Sequence, residues 1–340
     1  MKRLLNTLYV THEDAWLHKD GANVVVDAEG AELGRAPVHL LGAIVCFGRI
    51  GASPALLGFC AESGVAVSFL TPEGRFLARL EGPTGGNVLL RRAQHRTSAD
   101  RTAALPVARA VVAAKVANHR QVVRRALRDH GPDPAIDDAG RRLADAARHA
   151  LDAPDLDRVR GLEGEAGHAY FSVFDRLIRR DEPDLRFKGR SRRPPLDAPN
   201  AVLSFLYAIL ANDCRAAAET VGLDPQMGFL HRDRPGRASL ALDLMEEFRG
   251  PLADRVVLTL LNRGQLGPSD FRFLENGSVL LADDARKTVL TAYQQRKRQE
   301  IRHPFLEETI PLGLAPQIQA QLLARHLRGD LDGYPAFVWS

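Results

Sequence analysis

PTGG, residues Pro83-Thr84-Gly85-Gly86, divides the 340-residue chain into two stretches of different character. Before it, short apolar alternations (LYVTH, AWLHKDG, NVVVDAEG, ELGRA, LGAIVCFG, VAVSFLTPEG, RFLARLEG) alternate with turn residues. Period-two spacing puts apolar side chains on one face of a strand, and Lys19-Asp20-Gly21, Ala28-Glu29-Gly30 and Pro72-Glu73-Gly74 supply the reversals. One short helix is expected from Ser53 to Ser63. Residues 1–83 therefore read as an antiparallel β domain. After PTGG the alternation stops, and alanine, leucine, arginine and glutamate recur at helical spacing. Helices are predicted over Asn87 to Thr97, Thr102 to His130, Asp137 to Leu151, Asp155 to Arg180, Ala201 to Val221 with Asn200 as cap, and Asp283 to Arg302. Pro251 opens a further helix through Leu261, FRFLENGSVLLA reads as a β-hairpin turning at Asn276-Gly277, and a last helix spans Ala315 to Leu327 before the apolar tail YPAFVWS. The fold class is α+β: an N-terminal β domain, then a larger, mostly helical domain over residues 84–340 that contains a small hairpin.

A chain of 340 residues fits two domains at roughly 100–200 residues each. Cys46, Cys60 and Cys214 form no CxxC pair, so neither a disulfide framework nor a zinc finger is supported, and a reducing cytoplasm is the expected location. MKRLL starts like a signal peptide, but Asn6, Thr7, His12, Glu13 and Asp14 interrupt the apolar run. No apolar run reads as long enough to span a bilayer, and no repeat suggests a solenoid. The net charge of +4 is mild, yet the basic residues cluster at Lys188 to Arg193 and at Arg286 to Arg302. Clustering of this kind suits a phosphate-rich partner or, equally, a solvated basic face.

Chemistry concentrates in GFLHRDRPGRASLALDLMEEFR, Gly228 to Arg249. Asp243 lies among Leu240, Ala241, Leu242, Leu244 and Met245, where a carboxylate is costly to desolvate unless a cation or hydrogen bonds compensate. Glu246 follows at i+3, on the same helix face. His231 stands in the preceding loop, placed to add a nitrogen. Two carboxylates and an imidazole suit magnesium or manganese, with a third carboxylate needed from elsewhere. Glu247, at i+4, competes with Glu246 and is expected to face solvent.

Upstream, RGLEGEAGHAYFSVF places Glu163 and Tyr170 on one helix face, while Glu165 points elsewhere. Gly164 and Gly167 each cost about 1 kcal/mol in a helix, which a close backbone or a ligand would offset. A solvated Glu163 is the plainer alternative. Next, Lys188, Arg190, Arg192 and Arg193 sit in a proline-rich loop able to follow a nucleic-acid backbone. Tyr293, Arg296, Lys297 and Arg298 either meet DNA or form a solvated helix face.

GLEGEAGHAYF, RSRRPPLDAPNAVLSFLYAIL, GFLHRDRPGR and LALDLMEEFR together, in this order and spacing, resemble the CRISPR-associated integrases of the Cas1 family. The resemblance covers the whole chain and is closest to members of type I-C systems. It implies that Glu163, His231 and Asp243 bind a divalent Mg2+ or Mn2+ ion, with Glu246 as the further acid. It implies an endonuclease and integrase that inserts short DNA fragments into a repeat array by 3′-hydroxyl attack. The implied partners are double-stranded and branched DNA, the Cas2 protein and, in type I-C systems, a Cas4 nuclease; a homodimer is also implied. His168 departs from the residue usual in relatives. His231 as a general acid or base is the alternative to a ligand role. A catalytically silent DNA-binding scaffold and a stand-alone metal-dependent nuclease are the competing functions.

Overall fold

Residues 6–82 and 88–339 of the chain are described by a computed structural model. Pro83 to Asn87, and with them the PTGG boundary and the first residue of the helix expected from Asn87, lie outside the described residues, as do Met1 to Leu5 and Ser340. The chain divides into two compact units, Met1–Gly85 and Gly86–Ser340.

The first unit contains β1 (Asn6–Val10), β2 (Trp16–Asp20), β3 (Asn23–Ala28), β4 (Ala31–Pro37), β5 (Leu41–Phe47), β6 (Gly51–Ala52), α1 (Pro54–Glu62), β7 (Ala66–Leu70) and β8 (Phe76–Arg79). They form two four-stranded sheets, ordered β1-β5-β7-β8 and β4-β3-β2-β6. The hairpin β3–β4 closes through Glu29 and Gly30, both at positive φ, the primed turn that matches strand twist. Ser53 caps α1 by accepting from the Leu56 N–H. Leu17, Val24, Ile44, Leu56 and Val67 are buried in the core of this unit.

The expected antiparallel pairing holds for β2–β3, β3–β4 and β7–β8 and fails for the rest. β1 and β5, β5 and β7, and β2 and β6 run parallel. The reason is connectivity: β1 and β5 are separated by the whole β2–β4 meander, and β5 and β7 by α1, crossovers that only parallel neighbours need.

The second unit begins with α2 (Val88–Ala99), α3 (Arg101–His130), α4 (Pro134–Asp152), α5 (Leu156–Ser172) and α6 (Phe174–Leu177). It continues with α7 (Ala198–Thr220), α8 (Ser239–Glu246), a π-helical turn at Arg249–Asp254, α9 (Arg255–Asn262), the hairpin β9 (Phe271–Phe273) and β10 (Val279–Leu281), α10 (Asp283–Arg298), β11 (Glu300–Arg302), β12 (Thr309–Pro311) and α11 (Ala315–Leu327). α10 stops at Arg298, and the residues expected to prolong it form β11, paired with β12. The cap of α7 is Asp197, whose carboxylate accepts from the Asn200 N–H, because Pro199 sits in the first turn. Asn200 instead donates to Gly189 O and Asp197 Oδ2, fixing the basic loop to the helix start.

By length and composition α7 could cross a membrane, contrary to the expectation that no apolar run is long enough. Its Val202, Leu203, Leu206 and Leu210 are nonetheless fully buried within this unit, as in the core helix of a globular domain.

Candidate active site

Polar side chains of the second unit line one cleft of about 750 Å³: they come from α3, α5, the basic loop at Arg190 and Arg192, the loop running into α8, and Glu246 and Arg249 at the end of α8. The loop is held first. Gln94 of α2 donates to Asp224 O and Met227 O at 2.8 Å each, and Ser98 donates to Gly228 O at 2.6 Å. Asp243 completes the grip. Its Oδ2 accepts from the N–H groups of Phe229 (2.6 Å) and Leu230 (3.0 Å), and its Oδ1 from the His231 N–H (3.0 Å) and the His231 ring Nδ1 (2.6 Å). Gly228 is required beside it, since a Cβ there would stand 2.7 Å from Asp243 Oδ2 and 2.8 Å from the Ser239 carbonyl carbon.

This corrects the rank of the acids. Asp243 is buried, as its apolar neighbours imply, but four donors consume its oxygens. The compensation for desolvation is hydrogen bonding: both Asp243 oxygens are turned to the loop at Phe229, Leu230 and His231. Asp243 fixes the imidazole with Nδ1–H donating, and places Nε2 3.8 Å from Glu246 Oε1.

Glu246 takes the forward place. Its Oε2 lies 2.7 Å from Lys115 Nζ and 2.8 Å from Arg249 Nε, and its Oε1 accepts from Arg249 Nη2 at 3.0 Å. Burial alone would raise this carboxyl's pKa, but the Arg249 and Lys115 cations hold it well below the usual carboxylate range. Glu163, one-third exposed on α5, pairs with the same Lys115 ammonium. Glu163, Glu246 and His231 thus share one cleft, although among the described residues no three His, Cys, Asp or Glu side chains close on a common point.

Glu247 does not face solvent. It is fully buried, and its carboxylate accepts from Tyr334 Oη, Phe337 N (2.6 Å) and Gln319 Nε2 (3.0 Å), so it anchors the C-terminal tail. Adjacent at the end of α8, the two acids project in different directions, Glu246 to the cleft and Glu247 to the core. A methyl group added at Gly164 or Gly167 would meet no described atom outside its own helix within 4 Å. No backbone packs there, and the two glycines leave a bare wall of the cleft.

Of the basic residues singled out in the sequence, Arg190 and Arg192 line the cleft. Arg190 is held in place by Asn200 Oδ1 at 2.6 Å and stacks 5.3 Å from the Tyr207 ring. Lys188 and Arg193 are exposed on the same loop. Arg296 and Lys297 are corrections. Lys297 is buried against Asp213 Oδ2 at 2.8 Å, and Arg296 donates to Pro251 O at 2.8 Å and stacks on Trp339. Burial pushes the Arg296 pKa down to about 10. Both cations are engaged by the body of the unit rather than presented to DNA.

Sequence reasoning misses Lys115, Arg249, Arg160 and the arginines of HRDRPGR, Arg232, Arg234 and Arg237, all lining the cleft. Lys115 is detectable in principle: a lysine inside AVVAAKVAN poses the same desolvation problem as Asp243.

Behind the site, buried Asp254 accepts from Tyr207 Oη (2.7 Å) and Tyr170 Oη (2.9 Å), with His119 Nε2 3.6 Å away. Burial raises its carboxyl from 3.8 to about 6 against the pull of the two hydroxyls. A raised native pKa contributes stability that is complete below the unfolded value and is lost as pH rises through about 6. Asp254→Asn removes that loss. In urea titrations the stability of the variant relative to wild type is expected to rise by up to about 3 kcal/mol between pH 4 and pH 7; a pH-independent difference would contradict it.

The family model described as CRISPR associated protein Cas1 matches residues 8–295. The chain is 56% identical over 346 residues to the CRISPR-associated endonuclease Cas1 2 of Rhodospirillum rubrum, covering all of both chains. It is 52% identical to the CRISPR-associated endonuclease Cas1 1 of Chlorobaculum tepidum, again over all of both. A Cas4/Cas1 fusion of Geobacter sulfurreducens is 37% identical over 97% of this chain and 60% of the fusion. Among solved structures, a casposase bound to integration product has a TM-score of 0.84 at 21% identity, over 97% of this chain and 93% of that one. A Cas6-RT-Cas1–Cas2 complex gives a TM-score of 0.81 at 22% identity, over 100% of this chain and 36% of that one.

Proposed function

The chain belongs to the CRISPR-associated Cas1 family, and from that premise we propose that it is a metal-dependent DNA endonuclease and integrase that inserts short fragments into a CRISPR array by 3′-hydroxyl attack. One observation carries the reading. Glu163, Glu246 and the Nε2 edge of His231 face a cleft whose remaining wall is lined by Arg160, Arg190, Arg192, Arg232, Arg234 and Arg237. Guanidinium groups bind phosphate in bidentate fashion and remain charged, which suits a DNA backbone brought to a pair of acids.

The residues fit a divalent cation. Two carboxylates and an imidazole are the donors that Mg2+ or Mn2+ takes, and Glu246 Oε2, among the described residues, receives no hydrogen bond of good geometry, only the charge of two cations. Glu163, His231 and Glu246 would hold the ion, with Asp243 behind them as orienter of the imidazole. A bound ion supplies stabilisation of charge on phosphate oxygens and lowers the pKa of an attacking hydroxyl. The arginines orient the phosphodiester, and Asp243, holding Nδ1, turns the Nε2 edge of His231 toward the cleft. Cas2 as partner, a Cas4 nuclease in type I-C systems, and a homodimer belong to the same proposal. Its support is that the fold recurs in a complex that includes Cas2 and that a relative is fused to Cas4.

A branched DNA substrate, incubated with and without Mn2+ and resolved into cleaved and joined products, tests it. Glu163→Gln and His231→Ala are each expected to reduce both products at least about 100-fold, about 3 kcal/mol of barrier. Undiminished joining in both variants would sink the proposal. Binding without products would instead support a silent scaffold, and cleavage without joining a stand-alone nuclease.

A further inference from the structure

We propose that Lys115 is a gate on the cation site: its ammonium occupies the oxygens of Glu163 and Glu246 and yields them only when an ion enters and a DNA phosphate takes the ammonium over. The inference rests on the reading that these two acids hold the ion, and goes beyond it in assigning the free protein a resident competitor.

Lys115 lies in the middle of α3, between Ala114 and Val116, and its side chain is only 7% exposed. That helix is packed along α4 and α5, so the Lys115 backbone is fixed and only its stem can move. The ammonium contacts Glu163 Oε1 and stands 2.7 Å from Glu246 Oε2. One cation therefore bridges both carboxylates that line the cleft among the described residues.

Charge makes the arrangement exclusive. With Lys115 and Arg249 facing Glu163 and Glu246, two positive charges balance two negative ones. A divalent ion added beside these four groups brings two more positive charges next to the Lys115 ammonium and the Arg249 guanidinium, repulsion that the low exposure of Lys115 and Glu246 strengthens. Arg249 cannot be the group that leaves: its guanidinium is pinned over the Tyr207 ring at 4.5 Å and bonded to Glu246 through Nη2. Lys115 carries a flexible four-carbon stem and a single point charge, and it borders the cleft. A phosphate arriving between the arginines offers that ammonium a new anion, so DNA and the ion favour each other's binding. Ion loading is thereby tied to substrate, and the free protein is kept from idle cleavage.

The test is Mn2+ binding to the full chain by calorimetry and by electron paramagnetic resonance, independent of turnover. Lys115→Met is expected to bind Mn2+ at least about tenfold more tightly than wild type, about 1.4 kcal/mol, and Lys115→Arg, which keeps the charge, no more tightly than wild type. Adding a duplex oligonucleotide is expected to strengthen Mn2+ binding to wild type and to change Lys115→Met little. Lys115→Gln, which keeps a hydrogen-bond donor at similar reach, serves if the methionine variant loses the wild-type circular dichroism. Equal affinity in wild type and the neutral variants overturns the gate while leaving the ion site standing. Absence of Mn2+ binding in all of them overturns the ion site itself.

Discussion

Asp243→Ala is expected to destabilise the chain by about 4 kcal/mol and to abolish activity as a consequence. The carboxylate collects three backbone N–H groups and one ring nitrogen from Phe229, Leu230 and His231. Truncation orphans all four donors in a site where Phe229 and Leu230 are buried. Each buried donor left unpaired costs about 1–3 kcal/mol, and relaxation of the loop recovers part of the sum. Asp243→Asn is not a mild substitute, because its amide –NH2 would point at N–H groups on one side. Gly228→Ala should reproduce the loss from the opposite direction, since its methyl would displace the same carboxylate and the Ser239 backbone. Urea denaturation of the three variants checks this. Wild-type midpoints for Asp243→Ala would show that the loop does not depend on this residue.

That prediction turns on a feature no spacing rule contains. Asp243 and Glu246 at i and i+3 do share a face of α8, and the apolar run around them does mark a buried, compensated carboxylate. Which acid meets the loop backbone and which meets the cleft is decided by tertiary contacts: the close pass at Gly228 and the clamp of Gln94 and Ser98 on residues 224–228. Glu247 reads as exposed in the sequence because local spacing does not show that Gln319, Tyr334 and Phe337, distant in the chain, supply its carboxylate with donors. Arg296 and Lys297 read as surface charge because local sequence does not show that Asp213 and Pro251 O, far away in the chain, need donors.

Elements with strong local signals are legible. The turn at Glu29-Gly30, the helix between Ser53 and Ser63, the Asn276-Gly277 hairpin and the last helix, Ala315–Leu327, carry their own punctuation. Strand direction is not, because alternation specifies a buried face and says nothing about the partner's polarity. Lys115 lies between these cases. Its apolar setting in α3 is visible, but its two partners come from α5 and α8, and only the packing of those helices reveals a bridge.

Glu246→Gln is expected to reduce both cleavage and joining at least about 1,000-fold, about 4 kcal/mol of barrier, with the fold retained. The amide keeps the volume and one acceptor for Arg249, whereas it removes the negative charge that balances Lys115 and Arg249 and that a divalent ion requires. Glu246→Ala should lose activity equally and stability as well, by about 3–5 kcal/mol, because it removes the carboxylate partner of Arg249 and one of the two partners of buried Lys115. The contrast separates chemistry from structure: Asp243→Ala fails by unfolding the loop, and Glu246→Gln fails while folded. Circular dichroism and denaturation measured beside product formation and Mn2+ binding distinguish them. Wild-type joining by Glu246→Gln would return the leading role to Asp243, and would require that carboxylate to give up hydrogen bonds to the loop that it holds in place.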